Sequence, residues 1–293
     1  METENTMLVV TGASGHLGSQ IVEGLLARVP ASSIAVSVRD VDTVPHLAAR
    51  GVRVRAGDFT DPASLLHAFE GAERVLVVSA AIRGGGAFEA NRAAVDAAQA
   101  VGASRILYTS HQAASASSMF PPQTVHAATE QHLAGLGVPF TALRNGFYAN
   151  ALGIHLAAAL ETGRIVVPQD GPVSWTAHRD LAEVAATVLA ADGVLDGVTP
   201  ALTAPEMLDL GQVAQILSDL TGRSIVRVTV PDDEWRAAAV ARGLPPMVAD
   251  FSLGMFRAAR RGEFAVTDPT LERIVRRPAT TVRTVLRGLL DAV

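Results

Sequence analysis

Thr11-Gly12-Ala13-Ser14-Gly15-His16-Leu17-Gly18 lies directly after an apolar run, Met7–Thr11, and opens a helical pattern from about His16 to Arg28. The three glycines meet different mechanical demands. Gly12 lets the chain turn sharply out of a strand, Gly15 lets main-chain amides approach a ligand closely, and Gly18 lets a helix lie tight against a sheet. The helix that starts here offers unpaired N–H groups and the positive end of its dipole, which together suit a diphosphate. Strand, glycine turn and helix in that order predict the first unit of a dinucleotide-binding sheet. Gly12, Ala13, Ser14, Gly15, His16, Leu17 and Gly18 are its candidate cradle.

Working outward, short apolar runs at Ile34–Val38, Val52–Ala56, Arg74–Ser79, Ser104–Thr109 and Phe140–Leu143 read as strands. Helical patterns lie between them, near Thr43–Arg50, Asp61–Phe69, Phe88–Val101 and Gln123–Leu136. The strands lack polar alternation, as expected where both faces are covered by helices in a parallel sheet. Beyond about Asn150 the rhythm changes. Helices are predicted over Leu152–Glu161, Arg179–Ala190, Leu208–Leu220, Asp232–Arg242, Pro245–Arg261 and Val282–Leu290, with strands at Arg164–Val167 and Ser224–Val230. The predicted class is α/β: a Rossmann doubly wound parallel sheet over residues 1–150, then a small C-terminal α/β substrate lobe over 151–293. Segments at about 164–204 are expected to return to the core sheet.

The strand ends extend the site. Val38 is followed by Arg39 and then Asp40. An acid at this point would hold a ribose 2′-hydroxyl, whereas an arginine pairs with a 2′-phosphate, so the order favours NADP(H) over NADH. Asp58 and Phe59 follow the third strand, one to accept from the adenine amino group and the other to lie against the ring. Asp61 is the better cap for the helix that Pro62 begins, which frees Asp58. Ser79, Ala80 and Ala81 are small and let a cofactor backbone pass closely. The loop Gly84-Gly85-Gly86 is expected to be unusually flexible.

Composition narrows the chemistry. A net charge of −5 gives no electrostatic footprint for nucleic acid. No run approaches the roughly 20 apolar residues of a bilayer span, and the short polar start lacks the basic and apolar regions of a signal peptide. The absence of cysteine removes disulfides, thiolate metal sites and thiol nucleophiles, and it fits a reducing cytoplasm. All 24 Lys+Arg residues are arginine, which removes a Schiff-base lysine, a Walker lysine and the lysine of a Tyr-x-x-x-Lys pair. The histidines show no metal-ligand spacing, so no metal is expected. Ser110 and His111 are adjacent but have no nucleophile elbow around them, which argues against hydrolysis.

Four further motifs carry a family resemblance: Tyr108-Thr109-Ser110, His126-Ala127-Ala128-Thr129-Glu130, Leu143-Arg144-Asn145-Gly146-Phe147-Tyr148 and Arg179-Asp180-Leu181-Ala182-Glu183-Val184-Ala185-Ala186. With Gly262-Glu263-Phe264 and the opening glycine turn, they resemble the NmrA-like atypical short-chain dehydrogenases/reductases over nearly the whole chain. The nearest likeness is to type 2 NAD(P)H:quinone oxidoreductases and triphenylmethane reductases. The resemblance implies hydride transfer from NADPH to a small conjugated acceptor, a quinone or a dye, in a cleft between core and lobe. It places Thr109, Ser110 and His111 beside the nicotinamide and Asn145 and Tyr148 on the cleft floor. His126 falls where some relatives carry a catalytic or cofactor-contacting lysine. Gln131 departs from the lysine that several quinone-reductase relatives have after Glu130.

The sequence holds two tyrosines and no lysine, so a lysine-assisted tyrosine acid is closed. His126, with an ordinary pKa near 6.5, is the first candidate proton donor, and the alternative is a hydrogen bond to the cofactor ribose. His111 and Tyr148 are the further catalytic candidates. The resemblance leaves room for a homodimer. Three activities remain open on the sequence: a reductase of conjugated compounds, a non-catalytic NADP-binding redox sensor of the NmrA type, and a pathway-specific natural-product reductase or isomerase.

Overall fold

The computed structural model describes residues 6–82 and 85–292. In chain order the first half forms β1 (Leu8–Thr11), α1 (His16–Leu26), β2 (Ile34–Val38), α2 (Pro45–Ala49), β3 (Arg53–Ala56), α3 (Pro62–Phe69), β4 (Arg74–Val77), α4 (Ala87–Ala100), β5 (Arg105–His111), α5 (Pro121–Gly135) and β6 (Phe140–Asn145). There follow β7 (Phe147–Tyr148), α6 (Leu156–Thr162), β8 (Arg164–Pro168), β9 (Trp175–Thr176), α7 (His178–Ala190), β10 (Gly197–Val198), α8 (Leu210–Thr221), β11 (Val226–Val230), α9 (Asp232–Ala241), α10 (Pro246–Arg260), α11 (Thr270–Val275) and α12 (Val282–Leu290).

These elements build two compact units. The first takes the residues up to Ser110 with Val125–Arg144 and Leu181–Pro200. Its seven-stranded sheet has the order β10-β6-β5-β4-β1-β2-β3. The strands pair in parallel, Leu8 opposite Ile34 on one side of β1 and opposite Arg74 on the other. Every residue of β1, β2 and β4 is buried, which explains the missing alternation. Strand order reverses between β1 and β4, and a doubly wound sheet binds its ligand at the carboxyl ends of the strands flanking that switch. Met7, Val9, Leu65, Phe69, Val75, Val95, Ile106, Tyr108 and Leu133 form a core against α3, α4 and α5. Buried Arg74 fastens α7 at the opposite end of the sheet, donating to the Leu189 carbonyl and the Asp192 carboxylate.

The second unit comprises His111–Thr124, Asn145–Asp180 and the residues from Ala201 onward. It carries two small parallel pairs, β8 with β11 and β7 with β9. Its core gathers Phe120, Leu152, Trp175, Leu210, Leu217, Phe256, Phe264 and Leu286. Asp180 is fully buried and takes the Thr280 amide at 2.6 Å and the Arg277 guanidinium at 2.7 Å, which ties the C-terminal segment down.

The boundary near residue 150 gives way to an interleaved division. Arg164–Pro168 does not return to the main sheet; it pairs with Val226–Val230 in the second unit. Only 181–200 return, through α7 and β10, and β10 pairs with β6. Strand β4 ends at Val77 rather than Ser79, so residues 78–80 leave the sheet. Of the three loop glycines, Gly84 lies outside the described residues, and Gly86 at φ +95° starts α4.

Candidate active site

At the end of β1 the main chain organises itself. Gly12 adopts φ +64°, a left-handed conformation open to glycine. Its N–H donates to the Ser37 carbonyl at 3.1 Å, and its carbonyl accepts the Gly15 N–H at 3.0 Å. A Cβ on Gly18 would stand 2.1 Å from that same carbonyl oxygen, so α1 reaches the turn only because position 18 is bare. Gly15 begins α1 with no side-chain cap, while Ala13 and Leu17 anchor the turn in the core. Ser14, Gly15 and His16 are exposed. The result is a solvent-facing main-chain cradle at the positive end of a helix, and it fits a diphosphate.

At the end of β2, Arg39 is exposed, and Asp40 spends its carboxylate on the Asp42 N–H at 3.0 Å. Asp58 accepts the Thr60 N–H and hydroxyl, both at 2.8 Å and both on Oδ1. These bonds, with Arg39 adding its charge, hold its carboxyl below the usual range. Asp61 caps α3 through the Ala63 N–H. Phe59 packs its ring against the core of the first unit.

Beyond β4 three consecutive amides are captured by side chains. Val78 N–H donates to Thr11 Oγ1, Ser79 N–H to Thr109 Oγ1 and Ala80 N–H to Asn91 Oδ1, each at 2.8 Å. Asn91 Nδ2 then meets the Tyr108 hydroxyl at 3.1 Å, and that hydroxyl meets His126 Nδ1 at 2.8 Å. Burial pushes the His126 imidazole down to about 4. That corrects the expectation of an ordinary histidine poised as an acid: at neutral pH the ring is uncharged. Thr109 and Ser110 are buried, 1% and 3% exposed. Thr109 also donates to Ser79 Oγ at 3.2 Å. The Ser110 hydroxyl donates to Glu130 at 2.6 Å, and Arg144 grips the same carboxylate with two bonds. Both hydroxyls therefore serve the protein's own interior. Ala81, the residue after Ala80, is exposed.

Within the second unit, the His111 ring meets Phe147 and Phe264 edge-on, and its Nδ1 accepts the Ala113 N–H at 3.2 Å. Tyr148 packs against His178 with the rings tilted and centroids 4.3 Å apart, and His178 bonds Asn150 at 2.8 Å. Burial raises the Tyr148 hydroxyl, and nearby Asn145 draws it partly back. Asn145 is 1% exposed, and its amide makes no hydrogen bond of good geometry among the described residues; the Gln123 amide is in the same state. A cavity of about 260 Å³ is lined by Gln112, Ser115, Ser117, Ser118, Arg261 and Glu263. Asn91, Gln112 and Gln123 escaped sequence reasoning, and Thr11 and Tyr108 entered only as parts of motifs. Among the described residues no group of three or more His, Cys, Asp or Glu is arranged to hold a metal ion, and no helix is long and apolar enough to cross a membrane.

A parallel sheet with this order and this turn defines a Rossmann-type, dinucleotide-binding class of protein. The chain belongs to the NmrA-like family, whose model matches residues 4–268. It is 32% identical to quinone oxidoreductase 2 of Escherichia coli, over 94% of this chain and 96% of that protein. The crystal structure of that NADPH-dependent enzyme with NADPH superposes with a TM-score of 0.91, covering 97% of this chain and 100% of that one. The triphenylmethane reductase of Citrobacter sp. complexed with NADP(H) gives a TM-score of 0.88 at 32% identity, over 97% of this chain and 99% of that one. The NAD(P)H azoreductase of Xenophilus azovorans is 28% identical over 94% of this chain and 95% of that protein.

Proposed function

We propose that the chain is an NADPH-dependent reductase that passes hydride to a quinone, a dye or a similar conjugated acceptor. The observation that carries the reading is the exposed cradle at the start of α1, left without a side-chain cap and closed to any Cβ at Gly18. Identity of 32% to an NADPH-dependent quinone reductase and to a dye reductase, each over nearly the full length, supports it.

In this reading Gly12–Gly18 hold the diphosphate, Arg39 the 2′-phosphate, and Asp58 (through Oδ2) and Phe59 the adenine. Ser79, Ala80 and Ala81 give the cofactor a close path, and Thr109, Ser110, His126 and Asn145 stand at its nicotinamide end. NADPH, when bound, supplies the hydride. A quinone takes that hydride and one proton to become a quinol, and its conjugation stabilises the intermediate anion, so orientation supplies much of the rate. Neutral His126 works as a hydrogen-bonding group rather than as an acid. Tyr148, kept protonated by burial, donates toward the acceptor oxygen, and His111 is the further candidate for that contact. Water replaces the proton. The same reading makes the protein a cytoplasmic enzyme of small molecules that needs neither nucleic acid nor membrane, with a homodimer open to sedimentation.

The test is NADPH oxidation, followed by absorbance, against a panel of quinones, azo dyes and triphenylmethane dyes. Turnover of at least one acceptor is expected. Tight NADP binding with no turnover across the panel would replace the reductase by a redox sensor.

A further inference from the structure

We propose that Asn91 and Tyr108 are positioning residues that fix His126 as the neutral imidazole carrying its proton on Nε2. The inference deepens the reductase reading, since the ring serves the reaction only if that reading holds. The tautomer itself can be read without turnover.

A tyrosine–histidine hydrogen bond can run in either direction, because each partner can donate or accept. Here the direction is set from outside the pair. The Ala80 N–H is a main-chain donor and cannot reverse, so the oxygen of Asn91 must face it. The amide nitrogen of Asn91 then points to Tyr108, and an NH2 group only donates. Tyr108 Oη receives that proton and directs its own toward His126 Nδ1. An accepting Nδ1 leaves the ring proton on Nε2. Main chain, α4, β5 and α5 thus form one polar relay with a single sense.

Charging the ring would turn Nδ1 into a second donor aimed at an oxygen that already receives Asn91. The burial that holds the imidazole near 4 acts in the same direction. Glu130, one turn along α5, carries the nearby negative charge, and Ser110 and Arg144 take it up. The relay begins at Ala80, in the stretch assigned to the cofactor path, so the amide beside the ligand and the ring that faces the chemistry share one chain of hydrogen bonds.

The experiment is nitrogen-15 NMR of the histidine side chains in the full-length protein, with His126 assigned by the signal lost in His126→Gln. The wild type is expected to show Nδ1 in the unprotonated range and Nε2 in the protonated range at neutral pH. Tyr108→Phe removes the donor and should give a mixture of both tautomers. Asn91→Asp, read above the titration of the introduced carboxyl, takes the Tyr108 proton for itself and should move the His126 proton to Nδ1. A wild-type ring protonated on Nδ1 overturns the proposal, as does an Nε2–H tautomer that neither variant disturbs. If Tyr108→Phe fails to fold, the wild-type spectrum and Asn91→Asp still decide. A chain with the expected tautomer but no turnover of any quinone or dye loses the reductase reading and keeps the relay; turnover with the opposite tautomer does the reverse.

Discussion

The ends of β1 and β4 lie side by side at the switch point of one sheet, yet they treat their backbone in opposite ways. After β1 the turn is held by main chain on main chain, and no side chain caps the start of α1 with a hydrogen bond. After β4, three successive amides are each taken by a side chain, from Thr11, Thr109 and Asn91. The bare edge leaves its polarity for a ligand. The furnished edge spends its polarity internally and gains rigidity, since buried donors that are left unmet cost about 1–3 kcal/mol each. A dinucleotide site needs both: an edge that binds and an edge that stays where the bound molecule requires it.

The largest effect is expected where the bare edge is filled. Gly18→Ala places a methyl against the Gly12 carbonyl, a backbone atom that cannot swing aside. NADPH binding measured by calorimetry should be lost, and stability should fall by about 1–3 kcal/mol, the usual range for overpacking. Gly15→Ala is the control that sharpens the contrast. Its φ of −89° admits any residue and its Cβ would sit 3.3 Å from the Gly12 oxygen, a tight contact that a small shift relieves, so stability should fall far less than in Gly18→Ala while NADPH affinity drops. Equal binding in both variants and the wild type would end the cradle assignment. Next comes Arg39→Ala. Loss of a charge-assisted pair worth about 1.5–3 kcal/mol should weaken NADPH roughly 10- to 150-fold and leave NADH nearly unchanged. A matched loss for both nucleotides would remove the 2′-phosphate contact.

The two edges also differ in how much of them the sequence discloses. The bare edge is legible because backbone geometry there tolerates only glycine, and three glycines at fixed spacing between a strand and a helix seldom serve any purpose but this turn. The parallel sheet is legible for a related reason, since strands buried on both faces become mostly apolar runs without polar alternation, such as Leu8–Thr11 and Ile34–Val38. The furnished edge leaves no such trace. Thr11, Thr109 and Asn91 are ordinary residues that come from β1, β5 and α4, and only the folded sheet brings them to one strand end. The interleaving of the two units is legible only in part: a return to the main sheet is expected over about 164–204, and its bounds, 181–200, are not. Phe147–Tyr148, Trp175–Thr176 and Gly197–Val198 are two residues long, too short to show a period, and the six-residue helix Thr270–Val275 passes unnoticed.

Acid should stress the furnished edge through His126, and the second unit through His155. Burial lowers both imidazoles from 6.5 to about 4. The unfolded chain therefore binds these protons near pH 6.5 while the folded chain refuses them until about pH 4. More protons on the unfolded state means that stability falls as pH drops through this window, and it is whole above it. By linkage the cost is on the order of 3 kcal/mol for each ring fully titrated. Urea unfolding at stepped pH should show this decline, and His126→Gln should flatten its share while leaving the share of His155. An unchanged slope in His126→Gln would mean that the ring titrates normally and that the furnished edge is more open to water than its hydrogen bonds imply.

The smallest expected effect is the most direct test of what side-chain capture contributes. Thr109→Val keeps the shape of a buried β-branched residue and deletes the oxygen that accepts the Ser79 N–H. The amide is only partly buried, so water can replace some of what is lost, and the cost should fall at the low end of the usual range, about 1 kcal/mol. Hydrogen exchange separates this loss from general destabilisation. Exchange at Ser79 should rise by more than the global change in stability predicts, while Ala80, still held by Asn91, should follow the global change. If the two amides accelerate together, the three captures act as one unit and the edge is rigid only as a whole. If neither accelerates, the strand end is held by packing, and the contrast with the bare turn after β1 is one of sterics rather than of hydrogen bonding.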